Sequence, residues 1–241
     1  MRLKIRDLHA EVEGREVIKG LSLSVRSGEF HVLMGPNGSG KTTLSNAIMG
    51  HPRVKVTKGD ILVDGKSILG LSADKRARLG LFLEFQNPVE IEGLGLMNFL
   101  SSAKASVSSG TTFRGLIEEA KSAADGLRMK EDLMGRSLNY GFSGGEKKKM
   151  EILQMLLLRP KIALLDEPDS GLDVDAVKAV AKSVSGFQKE TDAGILLITH
   201  YARILGYMKP RYVHVMIDGR IVKEGGAKLV GEIEKKGYGP K

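Results

Sequence analysis

Short apolar or alternating runs fill residues 1–34, "LKI", "VIKGLSLSV" and "EFHVLM", separated by turn residues. Runs of that length and period predict strands. A glycine-rich loop follows, then a helix predicted from Lys41 to Met49, stopped by Gly50 and by Pro52 beyond it. In "GDILVDGKSI" the pair Asp64-Gly65 sits between apolar residues, a strong hairpin signal. "LGLFLEFQNP" reads as a buried strand that ends in Gln86 and is broken by Pro88.

The character changes at about Asn87. From there to Asn139 the pattern is mostly helical, interrupted by the Ser/Gly/Thr-rich "SVSSGTT", and predicts an inserted helical lobe. In "GFSGGEKKKMEIL" a turn of small residues runs straight into a helix, with Ser143 and Glu146 at capping-box spacing. "KIALLDEPDSGLD" is an apolar strand with carboxylates at its C-terminal end. After Asp173, Val177, Val180, Ala181, Val184 and Phe187 recur at the spacing of one buried helix face. "GILLITHY" is a fully apolar strand, and "YVHVMIDGRIVKEGG" predicts a hairpin centred on Gly219. Strands alternating with helices predict an α/β fold with a mainly parallel sheet.

The phosphate chemistry lies in Gly35 to Thr42, "GPNGSGKT", which matches G-x-x-x-x-G-K-[ST] without deviation between a predicted strand and a predicted helix. Glycines let backbone N–H groups turn inward around a phosphate, where a Cβ would obstruct them. Lys41 is expected to reach the β- and γ-phosphates, and the Thr42 hydroxyl to ligate Mg²⁺. The candidate ATP-binding set is Gly35, Pro36, Asn37, Gly38, Ser39, Gly40, Lys41, Thr42 and Thr43. Asp166 and Glu167 follow the apolar run Ile162 to Leu165; Asp166 is expected to hold Mg²⁺ and Glu167 to polarise the attacking water. Adjacent strand residues point to opposite faces, so the two carboxylates cannot share one job. Gln86 and His200 each close an apolar strand, Gln86 as a candidate ligand of Mg²⁺ or the lytic water and His200 as a partner of the γ-phosphate. A second anion site is predicted where the Ser143 helix begins, because a helix start leaves N–H groups free and a positive dipole end.

Composition narrows the classes. The chain of 241 residues has no cysteine, which excludes disulfides, thiolate nucleophiles and Cys-ligated metal or Fe–S sites, and its five histidines show no metal-ligand spacing. "MRLKIRDLHAEVEG" lacks a signal-peptide core, and no apolar run approaches the ~18 residues of a membrane span, so a cytoplasmic chain is expected. The net charge of +8 invites a nucleic-acid reading. Against it, basic residues are spread among 29 acidic ones, aromatics make up 5% of the chain and tryptophan is absent. No nucleic-acid partner and no membrane insertion are expected.

The phosphate loop, Gln86, "FSGGE", "ALLDEP", "SGLD" and His200 occur in the order seen in ABC-type ATPases, which the chain resembles. The resemblance implies an α/β P-loop NTPase of ABC ATPase type, with an antiparallel β subdomain and an inserted helical subdomain. Residues 1–86 and 140–241 would form the nucleotide-binding core lobe and 87–139 the helical lobe of a single domain. It also implies a transient, ATP-dependent homodimer in which Ser143, Gly144, Gly145 and Glu146 of one copy cover the ATP of the other, with Asp173 at the seam. More closely, "FQNPVEIEG", "GFSGGEKKK", "DEPDSGLDVDA", "THYARIL", "KPRYVHVMIDGRIVKEGG" and the terminal "GYG" resemble the ATPases of the SUF iron–sulfur cluster assembly system. That implies docking to SufB- and SufD-type scaffold proteins through the lobe after Gln86, and a motor role suited to a chain without cysteine. A nucleotide-binding subunit of a membrane transporter would share the same motifs. Val12 stands where many ABC ATPases stack the adenine on an aromatic, so a preference for ATP over GTP rests on the resemblance. One of Lys147 to Lys149 is a candidate partner for an idle Glu167.

Overall fold

The computed structural model describes all residues except Ser109, Thr111, Tyr201, Ala202 and 239–241. Parts of the "SVSSGTT", "THYARIL" and "GYG" stretches therefore lie outside the described residues. The chain begins with two long strands, β1 (Arg2–Val12) and β2 (Arg15–Arg26), closed by a two-residue turn. β3 (Phe30–Met34) leads into the glycine-rich loop and helix α1 (Lys41–Met49). β4 (Val54–Val63) pairs with the short β5 (Lys66–Ser67) across Asp64-Gly65, the hairpin that the sequence predicts. Both turn residues have positive φ (48° and 83°), as a type I′ turn requires.

A short helix α2 (Ala73–Arg78) precedes β6 (Leu81–Glu84). Helices α3 (Leu96–Val107) and α4 (Phe113–Gly126) and a 3₁₀ turn at Glu131–Gly135 fill much of the next segment. Then come α5 (Gly144–Leu158), β7 (Ile162–Asp166), α6 (Val174–Thr191) and β8 (Gly194–Ile198). After a 3₁₀ turn at Ile204–Gly206, the hairpin β9 (Tyr212–Ile217) and β10 (Arg220–Gly225) and helix α7 (Lys228–Lys236) complete the described chain.

Two sheets result. One is antiparallel, in the order β2-β1-β4-β5; the other has six strands in the order β10-β9-β3-β8-β7-β6, all parallel except the edge strand β10. The apolar continuity of β3, β7 and β8 follows from burial on both faces. Val32, Ala163, Leu165, Ile195 and Leu197 face a core shared with α3 to α6. Leu33, Ile162, Leu164, Leu196 and Ile198 face a second core, where α1 packs with the antiparallel sheet. Leu96, Leu100, Leu116 and Ala120 of α3 and α4 belong to the first core, continuous with the sheet rather than separate from it. Among the described residues no helix is long and apolar enough to cross a membrane.

Strand β6 stops at Glu84, two residues short of the predicted end at Gln86. The reason is local: the backbone N–H and carbonyl of Phe85 are taken by Glu151 and Lys148 of α5 instead of a neighbouring strand. Gln86 thus sits beyond the sheet, and His200 likewise lies two residues past the end of β8.

Candidate functional site

The site lies at the C-terminal ends of the parallel strands β3, β6, β7 and β8, where ligands bind in open α/β sheets. The loop after β3 closes onto α1 at Gly40, the N-cap, with φ +104° and no side-chain cap bond. A left-handed residue is needed there to turn the first N–H groups of α1 into the loop, and glycine takes that conformation without penalty. Gly35 is required for a different reason: a Cβ on it would lie 2.1 Å from the Met216 carbonyl oxygen. The turn of the β9–β10 hairpin supports the loop from outside, Gly219 N–H donating to Ser39 O (3.0 Å). Lys41 is buried and its Nζ donates to Gly35 O (2.8 Å) and Pro36 O (2.9 Å), at the centre of the loop. Burial pushes its pKa down, while Glu167 and Asp166 pull it back up.

Asp166 ends β7 and is 2% exposed. Burial pushes its carboxyl above the usual carboxylate range, opposed by the Thr42 hydroxyl bonded to it. Its Oδ1 has no hydrogen-bond partner among the described residues. A buried, unpartnered carboxylate oxygen costs free energy unless something fills its bonding capacity. With a threonine hydroxyl beside it, this donor set fits a hard, oxygen-seeking cation.

Glu167 leaves the strand at φ +58°, its N–H bonded to Ile198 O (2.8 Å), so its side chain departs from that of Asp166. His200 Nδ1 lies 2.7 Å from Glu167 Oε1, and Gln86 Nε2 donates to Glu167 Oε2 (3.0 Å). Three residues that are 81 and 33 positions apart thus meet on one carboxylate. No member of Lys147 to Lys149 pairs with Glu167: Lys147 binds Glu90, Lys148 binds Glu84 and Lys149 donates to Arg128 O. Their positions on α5 explain this, since Lys148 points under the strand ends and its neighbours point outward.

Ser143 caps α5 as predicted. Glu146 N–H donates to Ser143 Oγ (3.2 Å), and the Glu146 carboxylate accepts from Ser143 N–H (2.9 Å), the reciprocal capping box. Those bonds hold the Glu146 carboxyl below its usual range. Gly145 packs toward Leu172, which joins the Ser143 turn to the "SGLD" turn. Asp173 caps α6, accepting from Ala176 N–H (2.7 Å). Among the described residues no hydrogen bond or ion pair links 143–146 to 35–43. Val12 ends β1 at a hairpin tip, opposite Arg15.

Several residues beside the site lie in the quoted stretches without having been assigned the roles they take in the structure. Asp169 is fully buried beneath the strand ends; its Oδ1 accepts from Thr199 Oγ1 (3.4 Å) and its carbonyl from Arg203 (2.8 Å). Lys148, Glu84 and Glu151 form a buried charged group under the loop that carries Gln86. Burial pushes the Glu84 carboxyl up to about 8 and that of Glu151 up to about 7, with the Lys148 ammonium only partly opposing. The available signal was charge within otherwise apolar runs, Glu84 at the end of β6 and Glu151 in α5.

Residues 18–170 match a family model described as "ABC transporter". The chain is 49% identical to "Vegetative protein 296" of Bacillus subtilis strain 168, covering 98% of this chain and 91% of that one. It is 50% identical to a "Probable ABC transporter ATP-binding protein" of Streptococcus pyogenes serotype M3, over 98% and 93% of the two chains. Among solved structures, a dimeric ATP-binding cassette in a post-hydrolysis state with ADP and phosphate matches with a TM-score of 0.79 at 21% identity, over 93% of this chain and 98% of that one. At that identity the likeness is one of fold. The match spans the phosphate loop, the "FSGGE" helix start and the Asp166-Glu167 strand end, and the chain belongs to the ABC transporter family as an ABC ATPase.

Proposed function

We propose that the chain is a Mg²⁺-dependent, ATP-hydrolysing motor subunit whose nucleotide site is completed by a second copy. The observation that carries this reading is the convergence of Gln86 and His200 on Glu167, beside the unpartnered Oδ1 of Asp166. In it, residues 35–43, through the N–H groups of all but Pro36, and the Lys41 ammonium bind the triphosphate. Glu167 takes the proton of the attacking water, and His200 and Gln86 hold that carboxylate in place. Thr42, Asp166 and the amide oxygen of Gln86 would hold Mg²⁺, which when bound neutralises phosphate charge. Positioning and charge stabilisation are what a loose phosphoryl transition state requires.

The turn Ser143–Glu146, with Asp173 of the adjacent turn, roofs the nucleotide of the second copy. Its exposed, capped helix start supports this, as does the absence, among the described residues, of bonds between it and the loop of its own chain. Residues 87–139 act as an inserted helical lobe between the 1–86 and 140–241 parts of the core, and transmit closure to a partner. The stretches shared with the SUF system favour soluble SufB- and SufD-type scaffolds as that partner, with a cytoplasmic site of action. The printed name of the Streptococcus relative favours a second reading, a membrane transporter partner.

Glu167→Gln tests the chemistry. It should retain ATP binding, lose turnover by about 10²- to 10⁴-fold, and accumulate as an ATP-bound dimer on size-exclusion chromatography. Hydrolysis at the wild-type rate would remove Glu167 from the role of base. A pull-down from native extract separates the partners: a soluble scaffold selects the first reading, and an integral membrane protein selects the second.

A further inference from the structure

Helix α5 begins as the proposed roof over the nucleotide of a second copy, and one turn further on it reaches its own active site from below. Lys148 is 4% exposed, and its Nζ donates to Glu84 Oε1 (2.6 Å), Phe85 O (2.9 Å) and Asp166 O (3.1 Å). Glu151 lies three residues on, hence on the same helix face. Its Oε2 accepts from Phe85 N–H (3.3 Å), and its Oε1 accepts from Gln154 Nε2 (3.1 Å). Both backbone groups of Phe85 are therefore held by α5. The residue after Phe85 is Gln86, and the residue after Asp166 is Glu167, the pair joined at 3.0 Å in the site.

We infer that Lys148 and Glu151 are positioning residues that couple the two nucleotide sites of the dimer. Closure of the Ser143–Gly145 turn on the ATP of one copy moves α5, and α5 sets Gln86 and Glu167 of its own chain through the backbones of Phe85 and Asp166. The inference rests on the proposed roofing of ATP by a second copy. It adds to it that each site reports to the other through a buried ammonium and carboxylate. A helix transmits displacement along its axis because its hydrogen-bond ladder resists bending, and packed interiors pass strain on rather than absorbing it. The lever is short, from Gly145 to Lys148, less than one helical turn.

The competing explanation is that Lys148 only neutralises Glu84. The double variant K148M/E84M separates the two, because it removes the cation and its bonded carboxyl together, while Glu151 keeps its bonds to Phe85 N–H and Gln154. With the purified full-length chain, the double variant should stay folded at the assay temperature and melt in a single cooperative transition, below that of the wild type because the Phe85 and Asp166 carbonyls lose a donor. Its KM for ATP should stay within about threefold while kcat falls by about tenfold or more, since misplacement of catalytic groups by about 1 Å costs up to 10²-fold. Carried in the Glu167→Gln background, it should still form the ATP-dependent dimer. A kcat within about twofold of wild type would overturn the lever and leave Lys148 as a neutraliser of Glu84. Loss of the ATP-dependent dimer in the triple variant would overturn it as well, since the clamp would then act on assembly. If Glu167→Gln alone gives no dimer with ATP, the roof itself fails and the lever falls with it, a result distinct from the other two.

Discussion

Arg76 offers a stability test that the structure determines closely. It lies in α2, is 3% exposed and has no carboxylate partner among the described residues. Its guanidinium donates instead to four carbonyls: Nη1 to Ala47 O (2.9 Å) and Ile48 O (2.8 Å), Nε to Leu71 O (2.9 Å) and Nη2 to Leu69 O (3.1 Å). Ala47 and Ile48 belong to the last turn of α1, the helix that carries Lys41 and Thr42, so the cation also sits at the negative end of that helix dipole. Burial pushes its pKa down, which measures the cost that these bonds must offset. Arg76→Met preserves most of the side-chain volume and removes every donor. The two bonds to Leu69 and Leu71 are partly exposed beside a cavity of about 500 Å³, where water can replace the guanidinium. The two bonds to α1 are buried, and at roughly 1.5–3 kcal/mol for each charged bond lost, with some return from the apolar replacement, the variant should lose about 3–5 kcal/mol. That is a large fraction of the 5–15 kcal/mol expected for a whole domain. Urea unfolding followed by far-UV circular dichroism measures it, and Arg76→Lys should fall between, because one ammonium cannot reach four carbonyls. A loss below about 1 kcal/mol for Arg76→Met would refute the reasoning and show that water satisfies the end of α1 without the guanidinium.

The Glu151 carboxyl, held up near 7 by burial, keeps in the folded state a proton that the unfolded chain releases above the ordinary carboxyl value of 4.5. Its contribution to stability is therefore complete below pH 4.5 and lost as pH rises through about 7. Glu151→Gln should flatten that part of the profile by up to about 3 kcal/mol, read from urea midpoints at pH 5 and pH 8; parallel profiles would count against it. Gly219→Ala places a Cβ 2.2 Å from Val17 O at φ +78°. It should cost about 1–3 kcal/mol and weaken ATP binding by loosening the contact with Ser39, both measurable by melting with and without nucleotide. Ser143→Ala removes one half of a capping box and should lower stability by about 1 kcal/mol in the same melting assay.

Signals that depend on a few neighbouring residues were legible in the chain by itself. The Asp64-Gly65 and Gly219 turns, the Ser143 capping box, the helix face Val177 to Phe187 and the phosphate loop are all set by backbone sterics and by bonds spanning at most one turn. Strands buried on both sides were visible as unbroken apolar runs. Helix α7 carries a signal of the same local kind, since Leu229, Val230 and Ile233 are buried on one face. The tertiary structure alone decided which distant residues meet. It brought Gln86 and His200 to Glu167, ended β6 early by diverting Phe85 to α5, and turned Lys148 toward Glu84 rather than Glu167. Such pairings follow from how the helices cross the sheet ends. The long side chains of lysine, glutamate and glutamine can satisfy their charge or polarity with any partner in reach, so spacing along the chain leaves the choice open.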